Sequence, residues 1–270
     1  MKAIWLVLEW FLLAAAPAAA VELTGPLTQG GLIVGTVAPG SKVTFEGRTL
    51  RVDPRTGTFV FGIGRDYGPE AKLAITHWDG RQESQVLTIA PRRWRIEHVD
   101  GLPPSTVTPP PEVLKRIHRE GALIKAARSR ESATMDFLQG FILPATGRLS
   151  GFYGSQRILN GQPRRPHYGL DVANSVGTPV HAAAAGEVVL AETDLFYTGG
   201  TVAINHGHGL TTIYSHMNSV GVKVGDSVVQ GAPIGTIGAT GRATGPHLDW
   251  RLNWFNVRLD PELVLPKKAE

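Results

Sequence analysis

Short apolar runs separated by turn residues fill the first third of the chain. Runs of β-branched and aromatic residues predict strands, and dipeptides such as Pro39-Gly40 and Asp79-Gly80 predict the turns between them. The predicted strands are residues 32–34, 42–45, 58–61, 72–75 and 85–89. Strands at this spacing predict a small antiparallel β-sandwich over residues 22–98.

A linker and a helix follow at residues 99–140. Proline-rich residues 101–111 predict an extended spacer. Apolar residues then recur at helical spacing, which predicts one helix or two short ones within residues 112–139, packed on the next domain. We expect the basic residues of this segment to face solvent: Lys115, Arg116, Arg119, Lys125, Arg128 and Arg130.

The pattern returns to β structure from residue 141 to residue 266. Apolar strands are predicted at residues 186–190, 201–204, 210–214 and 233–237, with Gly and Asn turns between them. There is no helical period after Pro144. The whole chain is therefore predicted to be mainly β, with a helical linker between an N-terminal sandwich and an antiparallel C-terminal domain.

Composition narrows the range of partners. The net charge of +4 and pI near 9.5 indicate attraction to polyanions such as cell-wall polymers or lipid headgroups, or simply a mildly basic soluble protein. The basic residues are scattered, so we predict no nucleic-acid partner. The chain has no cysteine, which excludes disulfides, thiolate metal ligands and a lipid-modified cysteine.

Residues 1–20 resemble a cleavable signal peptide. Lys2 precedes an apolar run that Glu9 interrupts, and Ala18, Ala19 and Ala20 offer a cleavage site. The run is short for a membrane span, so we expect none after its removal and predict a periplasmic or secreted protein. The alternative is a buried helix of the mature fold.

Two short segments carry metal-ligand chemistry. His167 and Asp171 are too far apart for one metal on a straight strand, and Gly169 with nearby prolines opposes a helix, so a loop that enters a strand is predicted. His247 and Asp249, two residues apart on a strand, share one face. Imidazoles and carboxylates are the usual ligands of a catalytic zinc ion.

The order of these motifs resembles the lysostaphin-type (LytM-like) zinc metallopeptidases that hydrolyse peptidoglycan. The matching motifs are His167-x-x-x-Asp171, Tyr214-x-His216, and the run from Thr240 through Gly245-Pro246-His247-x-Asp249. The similarity covers about residues 143–266 and includes Gly177-Thr178-Pro179-Val180, Asn205-His206-Gly207 and Val224-Gly225-Asp226.

The resemblance implies an antiparallel β domain with an open groove and one Zn²⁺ ion at its floor. It implies that His167, Asp171 and Asp249 are the metal ligands, and that His216 and His247 act on the water and the scissile carbonyl. The substrate would be peptidoglycan stem peptides, with the bond between D-alanine and diaminopimelate as the expected target in a periplasm. An envelope protein partner is also possible.

Asp249 departs from the family pattern, which has a histidine at this position. A His, Asp, Asp set would neutralise a dication and weaken it as a Lewis acid. Alternatively, His247 binds the metal, and Asp249 orients the His247 ring without contacting the metal itself.

The remaining histidines have structural interpretations. His206-Gly207-His208 is predicted to form a hairpin turn, and His181 to be a core histidine.

Three functions stay open on sequence alone. The first is a metal-dependent endopeptidase. The second is an inactive module that binds wall peptides or regulates a cell-wall amidase, and the third is a structural envelope factor whose N-terminal sandwich does the binding.

Overall fold

The structure is a computed structural model that describes residues 21–99, 111–159 and 161–266. The predicted signal peptide at residues 1–20 lies outside these residues, as does the proline-rich spacer up to residue 110. Nothing in the described part of the chain forms a helix of the length and apolar character that a transmembrane segment needs.

The described N-terminal region contains the strands β1 (Glu22–Thr24), β2 (Leu32–Thr36), β3 (Lys42–Phe45), β4 (Arg48–Thr49), β5 (Thr58–Gly62), β6 (Glu70–Thr76), β7 (Gln82–Thr88) and β8 (Ile96–Val99). All five predicted strands are present, although the last begins and ends earlier than predicted. The first seven strands form two small antiparallel sheets, of order β1-β2-β5 and β4-β3-β6-β7. Phe45 and Phe61 stack between these sheets with ring centroids 4.2 Å apart.

The predicted linker helix is a single α-helix, α1 (Pro111–Ser129), followed by a short 3-10 turn at Asp136–Gln139. Proline suits the first position of a helix, where its missing N–H would have no partner. Ile124 and Ala127 pack against Leu190, Ala203 and Ile213 of the large sheet. The helix therefore docks on the C-terminal region, as predicted.

The described C-terminal region contains the strands β9 (Arg148–Gly151), β10 (Gln156–Leu159), β11 (Gln162–Pro163), β12 (Leu170–Ala173), β13 (Pro179–His181), β14 (Gly186–Leu195), β15 (Gly199–Gly207), β16 (Leu210–Val220), β17 (Ser227–Val228), β18 (Pro233–Ile237), β19 (His247–Trp254) and β20 (Val257–Leu259). Strands β10 and β11 form a separate sheet with β8, and the other ten form one sheet whose main path runs β17-β14-β15-β16-β19-β12-β9. All pairings in the ten-stranded sheet are antiparallel, which confirms the predicted class.

The two β regions share one continuous hydrophobic core. Gly62 of β5 lies against Leu259 and Trp254 so closely that a Cβ atom there would contact both side chains. Strand β8 also leaves the N-terminal sheets and pairs in parallel with β10. The two regions therefore pack directly against each other. Their division into separate domains at residues 98 and 141 stays a prediction.

Candidate metal centre and groove

The centre of the site is the pairing of β12 with β19. In the register of these strands, Asp171 lies directly opposite Asp249 and Ala173 lies opposite His247. Two carboxylates in directly opposed positions of a sheet repel each other. A positive charge between these two strands would therefore be stabilising.

His167, Asp171 and Asp249 converge there. One ligand atom from each lies within 4.8 Å of the other two. His167 Nε2 is 3.1 Å from Asp171 Oδ1, yet both atoms are buried without a hydrogen bond among the described residues. Ligand atoms of a tetrahedral zinc site lie about 3.3 Å apart, given its bond lengths of about 2.0–2.2 Å. These two orphaned atoms are therefore placed as the ligands of one cation would be.

Glycines let the carboxylates approach. A Cβ atom at Gly169 would collide with Asp249 Oδ1, and one at Gly151 would collide with Asp171 Oδ2. Gly169 also precedes β12 directly, so the loop carrying His167 turns into the strand there. This is the loop-into-strand geometry that the sequence predicts for the His167–Asp171 motif.

Arg251 completes the cluster and was missed by the sequence analysis. Its Nε donates to both Asp249 oxygens at 3.0 Å, and its Nη2 also donates to Oδ2. Burial alone would raise the pKa of Asp249, but the charge and hydrogen bonds of Arg251 outweigh it and hold that pKa well below its usual range. The signal was in the sequence, since residues 249 and 251 must share a strand face.

The presence of Arg251 changes the net charge of the site from the value that the sequence predicts. A dication with two carboxylates would be neutral, but the guanidinium leaves one net positive charge. A carboxylate offers about four acceptor positions, so Asp249 can bond to Arg251 and still present a lone pair to a metal. The donor set therefore fits a divalent cation, and its role as a ligand set stays a prediction.

His216 and His247 lie beside this cluster with ring centroids 4.8 Å apart. His216 Nδ1 bonds the carbonyl oxygen of Thr240 at 2.8 Å, and His247 Nδ1 bonds that of Gly245 at 2.8 Å. A carbonyl oxygen can only accept, so Nδ1 carries the proton in each ring and Nε2 is the free basic atom of the neutral form. Asp249 forms no hydrogen bond with His247 among the described residues, because Arg251 engages it.

The backbone of His216 explains how it reaches the groove. Tyr214 and His216 would share a face on a regular strand, yet Tyr214 is fully buried in the core and His216 lines the groove. His216 has a φ of +65°, in the left-handed region. Its N–H bonds Thr198 O at 2.7 Å instead of continuing the ladder. This break in alternation turns the imidazole toward His247.

The two sides of the site differ electrostatically. Burial opposes protonation of His167, but the adjacent carboxylate of Asp171 and the negative charge of Asp249 outweigh it and raise its pKa. Burial lowers the pKa of His216, despite the Thr240 carbonyl. His216 is therefore held as a neutral imidazole at neutral pH.

These residues form the floor of a groove of about 1660 Å³. Helix α1 forms one wall, and residues 92–97 with the β10 region form another. The lining contains many more basic than acidic side chains. The arginines are Arg92, Arg93, Arg95, Arg128, Arg148, Arg157, Arg164, Arg165, Arg242, Arg251 and Arg258, and the acids are Glu97, Glu120, Asp171, Asp249 and Glu262.

Three other sequence predictions need correction. His206 lies within β15 and is fully buried, so only His208 and Gly209 form the turn. His181 is on a strand as predicted, but it is half-buried instead of a core residue. Arg128 is 9% exposed and does not face solvent with the other basic residues of α1.

An antiparallel β fold with a His, Asp, Asp cluster and two imidazoles in a groove defines a peptidase-like protein. A model of peptidase family M23 matches residues 165–261. A crystal structure described as a peptidase M23 from Pseudomonas aeruginosa is 30% identical, with a TM-score of 0.68, covering 88% of this chain and 94% of that one. The chain belongs to peptidase family M23.

Curated relatives match part of the chain. The peptidoglycan DD-endopeptidase ShyA of Vibrio cholerae is 34% identical over 142 residues, which are 52% of this chain and 32% of ShyA. The cell division protein DipM of Caulobacter vibrioides is 31% identical over 60% of this chain and 26% of DipM. The DD-carboxypeptidase/endopeptidase Mpg of Neisseria meningitidis is 41% identical over 39% of this chain and 26% of Mpg. The alignments thus span a third or less of these relatives.

Proposed function

We propose that this chain is an exported, metal-dependent endopeptidase that hydrolyses peptide cross-links in peptidoglycan. One observation carries the proposal. Within the described residues, two buried ligand atoms without hydrogen bonds, from His167 and Asp171, converge with the second carboxylate, Asp249, beside two imidazoles whose Nε2 atoms have no bonding partner. The named activities of ShyA and Mpg support peptidoglycan peptides as the substrate class.

The metal would be zinc, held by His167, Asp171 and Asp249. When bound, it would supply a Lewis acid for the scissile carbonyl and a more acidic water. The protein residues supply proton handling. His216 and His247 stay oriented by their Nδ1 bonds, so their Nε2 atoms can accept a proton from the attacking water or donate one to the departing amine. Arg251 balances the charge of Asp249.

The groove suits an extended chain. It runs between α1 and residues 92–97, and its floor holds the reacting groups. A peptide that lies along it would present its backbone carbonyls to the metal centre. Export would follow from residues 1–20 acting as a signal peptide and would place the enzyme in the periplasm or outside the cell.

The test is digestion of purified peptidoglycan by the full chain, with metal content measured by mass spectrometry. We expect cross-linked muropeptides to decrease with the zinc-loaded protein, to be stable after chelation, and to decrease again after zinc is restored. His216→Ala serves as the folded, metal-loaded control without activity. A zinc-loaded native protein that releases no product from several wall types would contradict the proposal.

The contact between Arg251 and Asp249 favours a second candidate, a binding or regulatory module. The guanidinium already neutralises one carboxylate, so the fold does not need a metal for that purpose. In this case the purified protein would lack metal and would sediment with peptidoglycan without cutting it. Activation of a cell-wall amidase in the same assay would then identify a regulator.

A further inference from the structure

Arg128 is a buried cation at the edge of the groove. It lies in the last turn of α1 and lines the groove together with His167, Asp171 and Asp249. Only 9% of it is exposed, whereas the neighbouring Ser129 and Arg130 on the same helix end are exposed. The docking of Ala127 on the large sheet holds this turn in place.

This arginine has no partner in the described part of the chain. It forms no salt bridge there, and its Nε is buried without a hydrogen bond. Burial, with the charges of Arg251 and Arg165, lowers its pKa to about 10. A buried unpaired charge is strongly unfavourable, and the carbonyls at the helix C-terminus offset only a small part of that cost.

None of the acids that line the groove pairs with Arg128 in the described part of the chain. Three of them pair with other arginines: Asp249 with Arg251, Glu97 with Arg157, and Glu120 with Arg116. Arg128 is therefore left for a group that the chain does not supply. A guanidinium is a planar fork of N–H donors, which matches the two oxygens of a carboxylate.

We propose that Arg128, with Arg165 beside it, binds a carboxylate of the substrate peptide on the departing-amine side of the scissile bond. This inference rests on the proposed function. In a cross-link from D-alanine to the side-chain amine of diaminopimelate, the carbon that bears the scissile nitrogen also bears a free carboxylate. That anion would lie a few bonds from the scissile carbonyl, in the groove that Arg128 also lines.

The inference predicts that the enzyme distinguishes a free carboxylate from an amide. The probe is a cross-linked peptide dimer whose carboxylate beside the scissile bond is free, compared with the same dimer amidated at that position. Binding is measured by calorimetry on the chelated full chain, so that hydrolysis does not interfere. We expect the native protein to bind the free acid about tenfold more tightly, as for a charged hydrogen-bonded pair.

Variants assign the preference to Arg128. Arg128→Gln should bind both dimers equally, Arg128→Lys should keep part of the preference, and Arg119→Gln, an exposed arginine of the same helix, should behave as native. If Arg128→Gln fails to fold, Arg165→Gln should lower the preference in its place. Equal binding of both dimers by the native protein, or a preference that survives Arg128→Gln, overturns the inference.

Inorganic phosphate separates a peptide site from a general anion site. Phosphate should compete with the free acid and not with the amidated dimer. If phosphate binds while the two dimers bind equally, the site takes free anions and the inference is wrong. A carboxylate preference in a protein that never cleaves would support the inference while the proposed function fails. Cleavage of both dimers at equal rates, with equal binding, would overturn the inference alone.

Discussion

Two histidines on neighbouring strands differ in role, because one is bonded as a structural residue and the other can exchange a proton. His206 is fully buried, and both ring nitrogens are bonded: Nδ1 to Ala185 O at 2.6 Å and Nε2 to Thr212 Oγ1 at 2.7 Å. Among the residues that the structure describes, His216 is held only through Nδ1. A saturated imidazole can only hold structure, whereas an imidazole with a free Nε2 can exchange protons with a ligand.

The two facing carboxylates repeat this contrast. Asp249 is paired with Arg251, whereas Asp171 Oδ1 is buried without a hydrogen bond in the described part of the chain. The site therefore has an unsaturated half, His167 with Asp171, and an internally balanced half, Asp249 with Arg251. Substitutions in the unsaturated half should change metal binding, whereas substitutions of groups whose bonds are already made should change the free energy of unfolding.

The largest effect is expected from the unsaturated groups. His167→Ala and Asp171→Ala should lose bound metal, because each removes a ligand atom that has no hydrogen bond among the described residues. His216→Ala should keep metal and lose activity by about 10²–10⁴-fold, the usual contribution of a general acid or base. Metal analysis and digestion assays on folded variants measure both properties.

His98→Ala is the control and should match the native protein, because His98 is exposed and does not line the groove. If His216→Ala were metal-free with its fold intact, the division between ligands and proton-transfer groups would be wrong.

Removing Arg251 should break the balanced half. In chelated protein, Arg251→Gln leaves Asp249 as a buried charge opposite Asp171, which should lower the free energy of unfolding by about 3–5 kcal/mol. Added zinc should restore more stability to this variant than to the native protein, because the metal takes over neutralisation. Urea unfolding with and without zinc measures the difference.

Arg242→Gln is the matched control, since this exposed arginine lines the same groove. A small loss in Arg251→Gln, equal to that of the control, would show that Asp249 does not depend on Arg251.

Much of the fold and the location of the site could be predicted from sequence. Alternating apolar runs predict the strands, and two-residue spacing puts His247 and Asp249 on one face. The position of His216 could not be predicted this way, because its left-handed φ breaks the alternation. Pairing of β8 with β10 also escaped prediction, since contacts between distant segments leave no local pattern.

The pairing of charged side chains was the other feature that could not be predicted from the sequence. The same two-residue spacing that groups His247 with Asp249 also groups Asp249 with Arg251, but an arginine on a strand is ordinarily a solvated residue. The burial of Arg128 depends on how α1 docks on the large sheet, and the helical pattern alone assigns it to the polar face.

His206, whose two ring nitrogens are both bonded, should make the stability of the protein depend on pH. Burial lowers the pKa of His206 to about 4. Above about pH 6.5 it is neutral in both states. As pH falls below that value, the unfolded chain takes up a proton that the folded chain does not, so stability is lost down to about pH 4. The contribution is about 3 kcal/mol, at 1.36 kcal/mol per pKa unit.

The measurement is urea unfolding of chelated protein at several pH values. His206→Gln should lose less stability than the native protein between pH 6.5 and 4 by that amount, while His98→Gln should follow the native curve. Parallel curves for native protein and His206→Gln would show that the buried imidazole is not the source of acid lability.

The smallest and most specific effect concerns the residue that departs from the family pattern. Asp249→His alone removes the partner of Arg251 and places an imidazole beside an unpaired guanidinium. We therefore expect its zinc affinity to fall below that of the native protein. Asp249→His combined with Arg251→Gln restores a His, Asp, His set without the extra cation, and we expect zinc affinity about tenfold above native, because neighbouring charges couple strongly.

Chelator competition on the native protein, both single variants and the double variant measures this coupling. Arg251→Gln alone should also bind zinc more tightly than native, since it removes a positive charge from the ion's surroundings. The cycle isolates the coupling between residues 249 and 251 because the separate effect of each single change cancels. If Asp249→His bound zinc as tightly as the double variant, residues 249 and 251 would act independently instead of forming one coupled pair.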